Sequence, residues 1–176
     1  MALLSPGWEK TYHNSLPPIS PVVCVGEIVR HERLDDGRYN FLLQGLHRRA
    51  VVREEVVAGG YRVAEVEPVQ EPTVLEIDLL PARDKLAGLM SRLSRSVPVA
   101  KQFLELLKTV IPTSDAADVI AFHLLEDLAE KRLMLEEPDA RLRLARLLGN
   151  LETLVPALSA GDLVPPDHLG RRTGLN

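Results

Sequence analysis

The stretch LDDGRYNFLLQGLHRR, Leu34 to Arg49, puts two acids, three arginines and a histidine close to a tight glycine turn. Its reading decides the fold. Asp36-Gly37 supplies residues that tolerate positive φ, Asp35, Asp36 and Arg38 fit the polar chemistry of a tight turn, and apolar alternation resumes directly afterwards, so the charges mark a hairpin tip. Upstream, the valine- and isoleucine-rich run Val22 to Leu34 predicts the first strand. Downstream, Arg38 to Leu46 predicts the second, with Tyr39, Phe41 and Leu43 on one face and Asn40, Leu42 and Gln44 on the other. Gly45 is the expected bend, since a missing side chain late in a strand marks a bulge or a sharp corner. His47 to Val57 then makes a third strand, Gly59-Gly60 a turn, and Tyr61 to Val69 a fourth.

From Pro81 onward the period changes. Leu86, Leu89, Met90 and Leu93 fall at i, i+3, i+4 and i+7, which predicts a helix over Pro81 to Arg95 with the proline in its first turn. Pro98 opens a second helix, whose buried stripe is Phe103, Leu106, Leu107, Val110 and Ile111 and which Pro112 ends. Ser114 or Asp115 caps a third running to about Leu125, and a fourth spans roughly Asp127 to Leu135. The last helix begins at Pro138-Asp139 and ends near Leu158, burying Leu144, Leu147, Leu148, Leu151, Leu154 and Val155 while Arg141, Arg143 and Arg146 stay in water. Strands first and helices second argue for an α+β chain with segregated lobes. The expected division is a β lobe over 1–72, a helical bundle over 73–158 and a flexible tail over 159–176.

Composition narrows the function classes. The 176 residues are 45% hydrophobic and 26% charged, an ordinary globular balance, and the formal charge of −4 offers no general attraction for a phosphate backbone. No run approaches the roughly 20 apolar residues that span a bilayer. A single cysteine, Cys24, precludes an intrachain disulfide, and a reducing cytoplasmic setting fits best.

Catalytic chemistry has no foothold in the spacing. Neither phosphate-binding glycine motif occurs, and the histidines at 13, 31, 47, 123 and 168 are scattered singly, which provides no expected cofactor or metal site. Cys24 lies in the apolar run VVCVG and reads as a small buried hydrophobe, although a pocket joining it to a histidine and an acid would signal a hydrolase. Glu54-Glu55 and Glu136-Glu137 are adjacent pairs whose members diverge, so they read as solvated charge. Arg48 and Arg49 face opposite ways on a strand, leaving at least one guanidinium inward or turned to a partner.

The run CVGEIVRHERLDDGRYNFLLQGLHRRAVVREE, with YRVAEVE after a short gap, resembles the amino-terminal substrate-binding domain of Lon proteases, in which a cysteine-glycine strand leads through x-x-L-x-D-G-R-Y-N to G-x-x-R. The helical sequence DAADVIAFHLLEDLAEKRLMLEEPDARLRLARLLGNLE is similar to that family's helices in the same order, and together these cover about Ala2 to Leu158. The resemblance implies a PUA-like antiparallel β-barrel, fed by Tyr39 to Leu43, followed by a helical bundle. It implies a module that recognises exposed or unfolded polypeptide segments and does no chemistry itself, with an ATP-dependent protease as an associated partner. The ATPase and serine-lysine protease regions have no counterpart in this sequence. Nor does the family's opening L-P-L-F-P strand, MALLSPGWEKTY corresponding to the segment downstream of it. The expectation is a start assigned downstream of that strand, or a truncation, and hence a barrel with an unpaired edge open to strand addition, including by a second copy. Trp8, Tyr12, Arg48 and Arg49 are the expected polypeptide-binding residues. The alternative is an RNA-binding PUA-like module, which the acidic charge and the lack of a basic, aromatic stripe disfavour.

Overall fold

The structure is a computed structural model. It describes residues 2–11, 13, 16–58 and 61–160, the side chains of 156–160 excepted. The chain divides between Gln70 and Glu71 into two compact units. Most of the tail expected over 159–176, and the Gly59-Gly60 turn, lie outside the described residues.

The first unit is a short 3₁₀ turn (Trp8–Lys10) followed by β1 (Val22–Arg33), β2 (Tyr39–Val56) and β3 (Arg62–Pro68). The strands form an antiparallel meander in the order β1-β2-β3. At the hairpin tip Gly37 takes a φ of 85°, and Asp36 accepts from the backbone N–H of Arg38 at 3.0 Å and from its guanidinium at 2.7 Å. The turn chemistry read from the sequence is what the chain uses. Before β1, Leu4 bridges Ile19 and Ser20 N–H donates to Leu3 O at 2.8 Å, which ties the amino-terminal segment to the approach of the sheet.

One expectation needs correction here. The second and third strands expected from Arg38 to Val57 are one strand, because Gly45 does not turn the chain. It stands opposite Gly26 where the register slips between Val25 and Gly26, leaving Leu46 as the extra residue of a bulge. A methyl group on Gly26 would meet the Gln44 carbonyl oxygen at 2.5 Å, so it is the close approach of two backbones that requires glycine. The expected barrel is seen only in part. The described strands form an open three-stranded sheet, and no described residues pair the outer edge of β1 to that of β3.

The second unit contains α1 (Glu76–Leu93), α2 (Ala100–Leu106), α3 (Thr113–Leu124), α4 (Leu128–Glu136) and α5 (Ala140–Ala160). Its core gathers the leucines read from the helical period, with Leu86, Leu89, Met90, Leu93, Ile120, Leu144, Leu147 and Leu151 at 1% exposure or less except Leu93 at 2%. Each such side chain contributes about 1.5–3 kcal/mol through burial, which makes this face the main source of the unit's stability.

Helix ends depart from the sequence reading for non-local reasons. Helix α1 starts at Glu76, five residues before Pro81, which therefore sits inside it. The proline cannot donate to the Ile77 carbonyl, but the loss is one bond near the helix start, and Leu79 is already buried in the core. Neither Ser114 nor Asp115 caps α3. Its first residue, Thr113, donates its backbone N–H to both oxygens of Glu76, at 3.2 and 3.1 Å, so a carboxylate on α1 caps α3. Asp127 caps α4 conventionally, accepting from Ala129 N–H at 2.7 Å.

Arg143, expected in water, is 2% exposed. Its guanidinium donates to Asp118 Oδ1 at 3.2 Å and to the carbonyls of Glu137 and Pro138 at 3.0 and 2.9 Å, so that it joins α3 to the α4–α5 connection. Val110, expected in the core, is fully exposed. Helix α2 has ended by then, and the following loop winds around Arg83, which donates hydrogen bonds to the carbonyls of Leu107, Thr109 and Ile111 at 2.8–3.1 Å.

The Glu76 cap makes a pH prediction. Its hydrogen bonds from the Thr113 side chain and backbone, with Arg83 nearby, hold its carboxyl below the ordinary range despite an opposing cost of desolvation. Because the folded value is the lower one, the cap stabilises fully above the unfolded value and fades as pH falls through the folded value. Wild type should lose more unfolding free energy than Glu76→Gln on acidification from about pH 5 to 3, by about 1 kcal/mol or less since the side chain is 48% exposed. Denaturant titrations that run parallel for the two proteins would contradict it.

Candidate polypeptide-binding face

The far half of the β1–β2 hairpin sorts its side chains unequally between two faces. In register, Ile28 stands opposite Leu43, His31 opposite Phe41, and Arg33 opposite Tyr39, and paired residues share a face. The other face holds Glu27 with Gln44, Arg30 with Leu42, and Glu32 with Asn40. A register slip at Val29 keeps the alternation of both strands in step across this division. The outcome is one aromatic-aliphatic face backed by one that is mainly polar.

The apolar face is uncovered. Tyr39 is 55% exposed, Phe41 60% and Ile28 56%. Among the described residues of the β unit only Ser20 and Val23 are buried, so the sheet holds almost no core of its own. Tyr39 to Leu43 were expected to feed the barrel; in the open sheet Tyr39 and Phe41 are exposed. An apolar array of this kind is a candidate interaction surface, whereas scattered single apolar residues would not be.

Nearer the base of the sheet lies an open groove of about 430 Å³. Val23, Val25, Val63, Ala64 and Val66 give it apolar walls, and its charge is an ion pair between Arg62 and Glu54, with Arg62 also donating to the Pro17 carbonyl at 2.7 Å. Cys24 lines this groove, half-buried, but no histidine does. The hydrolase constellation is therefore not assembled there. No described group of three or more His, Cys, Asp or Glu side chains converges to hold a metal ion. His123 lies exposed on α3, its Nδ1 3.0 Å from the Val119 carbonyl and its ring against Phe103 and Phe122.

Of the four residues expected to bind polypeptide, Trp8 is half-buried in the 3₁₀ turn and Tyr12 lies outside the described residues. Arg48 pairs in register with Cys24, and Arg49 with Val23 and Pro68, so the two guanidinium stems leave opposite faces of β2. Both are half-buried, and Arg49 Nη1 donates to the Arg48 carbonyl at 3.2 Å. They do not form a joint clamp. The candidates not singled out from sequence are Ile28, Tyr39 and Phe41; alternation placed Tyr39 and Phe41 together, but Ile28 joins them only through the register slip at Val29, and that nothing described covers them was not legible.

A family model described as the ATP-dependent protease La (LON) substrate-binding domain matches residues 1–153. Lon proteases of Buchnera aphidicola are similar to the chain, one from subsp. Schizaphis graminum at 30% identity over 140 residues and one from subsp. Baizongia pistaciae at 26% over 132. The matches take in 76% and 74% of the chain but 17% of each relative, so the chain corresponds to a small part of their length. Among solved structures, the N-terminal domain of Mycobacterium avium complex Lon protease superposes with a TM-score of 0.64 at 15% identity, over 86% of this chain and 89% of that one. A Lon N-terminal domain protein from Xanthomonas campestris superposes with a TM-score of 0.52 at 18% identity, over 85% and 86%. At these identities the superpositions establish the fold. No described helix is long and apolar enough to cross a membrane.

Proposed function

The chain belongs to the LON substrate-binding domain family, and from that premise we propose that it is a non-enzymatic recognition module which binds exposed or unfolded polypeptide segments through the apolar face of its hairpin. The observation that carries this reading is the exposure of Tyr39, Phe41 and Ile28 on one face of a ribbon that has no core beneath it. Two large aromatics with few rotatable bonds supply contact area at low entropic cost, and an extended apolar segment fits a flat, two-stranded surface. Arg33 opposite Tyr39 adds a cation at the rim, which favours segments carrying an acid beside the apolar residues. Trp8, Tyr12, Arg48 and Arg49 stand in this proposal as secondary contacts. Delivery of the bound segment to an ATP-dependent protease in the cytoplasm completes the role.

Photo-crosslinking tests the location. A reduced, carboxymethylated protein bearing a photoreactive group should label the intact chain mainly within residues 28–43, as read by peptide mapping. Labelling confined to the helical unit would reject the hairpin as the site. Binding of a structureless RNA in place of polypeptide, with strong salt dependence, would favour the alternative reading instead.

A further inference from the structure

The outer edge of β1 carries a second kind of surface, distinct from the apolar face. From Glu27 to Arg33 every residue is exposed, and no described strand pairs with the side of β1 that faces away from β2. Such an edge presents a row of backbone donors and acceptors to whatever extended chain can meet it. What can meet it depends on the charges beside the backbone, here in the order Arg30, His31, Glu32, Arg33.

That order is self-complementary in one register. When two copies of β1 run antiparallel about a dyad at His31, Arg30 of each lies directly opposite Glu32 of the other. Moving the dyad to Arg30 or Glu32 sets like charges face to face. Directly opposed charges on a ladder attract or repel through side chains on the same face, and Arg30 and Glu32 do share the polar face of the hairpin. The geometry points to a homodimer formed by β1–β1 addition in this register, with a second copy of the chain as the occupant of the edge.

The dyad of such a ladder runs perpendicular to the sheet. The combined sheet has the order β2-β1-β1-β2, and the Tyr39 and Phe41 faces of both copies lie on the same side of it. A polypeptide long enough to reach both would be held at two places, so the dimer supplies avidity that one hairpin lacks. Self-association itself needs no client and stands or falls separately from the polypeptide-binding reading.

Charge reversal and rescue test the inference. Sedimentation of the intact chain over a concentration series should show a monomer–dimer equilibrium. Arg30→Glu alone, or Glu32→Arg alone, should weaken it by about tenfold or more, because each reversal makes two repulsive contacts. The double variant Arg30→Glu/Glu32→Arg should restore it. All these positions are exposed, and circular dichroism of each variant reports that the fold is kept. A wild type that stays monomeric, or reversals that associate as wild type does, would overturn the inference. So would protection of residues 30–33 from hydrogen exchange on adding an extended peptide to a monomeric protein, since the edge would then belong to a client strand.

Discussion

Replacing Arg83 by alanine lowers the unfolding free energy by about 3–5 kcal/mol, the range for removing one member of a largely buried, hydrogen-bonded charge cluster. Its side chain is 12% exposed and donates to three backbone carbonyls between Leu107 and Ile111, to Thr113 Oγ1 at 3.0 Å, and toward Glu76 at 3.5 Å. One guanidinium thus satisfies the carbonyls left over where α2 stops and positions the start of α3. Without it those carbonyls lose their donor and the Glu76 cap loses its cation. Lysine should rescue little, because three donors on a point charge cannot reach a ring of acceptors spread over the guanidinium fork. Urea titration followed by far-ultraviolet circular dichroism measures the effect. A loss below about 1 kcal/mol would show that water replaces the arginine at no great cost.

The same cluster explains what was unreadable in the helical half. Leucines at 3.6-residue spacing located the core correctly, since burial of one helix face is a local pattern. Where the helices begin and end is decided by Arg83 and Glu76, which act on residues 24 to 37 positions away. Arg143 fails for a related reason. Its spacing places it beside the polar face of α5, and only the position of Asp118, 25 residues earlier, makes its burial tolerable.

In the sheet, the Asp36-Gly37 turn was legible because it is complete within four residues. Gly45 was not, as its meaning depends on Gly26 across the ladder. The candidate site shows the same limit. Alternation says that Tyr39 and Phe41 share a face, but not whether that face meets a core, and the resemblance, which implied a barrel with an unpaired edge, left that open. Arg48 and Arg49 stand out in the sequence as adjacent charges, although adjacency on a strand is what separates them.

The functional account depends on that uncovered face, and the largest effect on binding is expected from removing its aromatics. Interface energy concentrates in a few anchors, with tyrosine and other large side chains costing roughly 2 kcal/mol or more when truncated, which is about a thirtyfold rise in Kd. Tyr39 and Phe41 are both more than half exposed, so serine at each leaves no cavity and little change in stability is expected. Polar substitution on the opposite face, Leu42→Ser, removes a side chain that is 61% exposed yet faces away, and serves as the matched control. The decisive measurement is the affinity of the intact chain for a reduced, carboxymethylated protein, by fluorescence anisotropy, compared between wild type, Leu42→Ser and Tyr39→Ser/Phe41→Ser. The account predicts binding by the first two and a Kd raised about thirtyfold or more in the third; equal affinities across all three, or no binding by folded wild type, would contradict it.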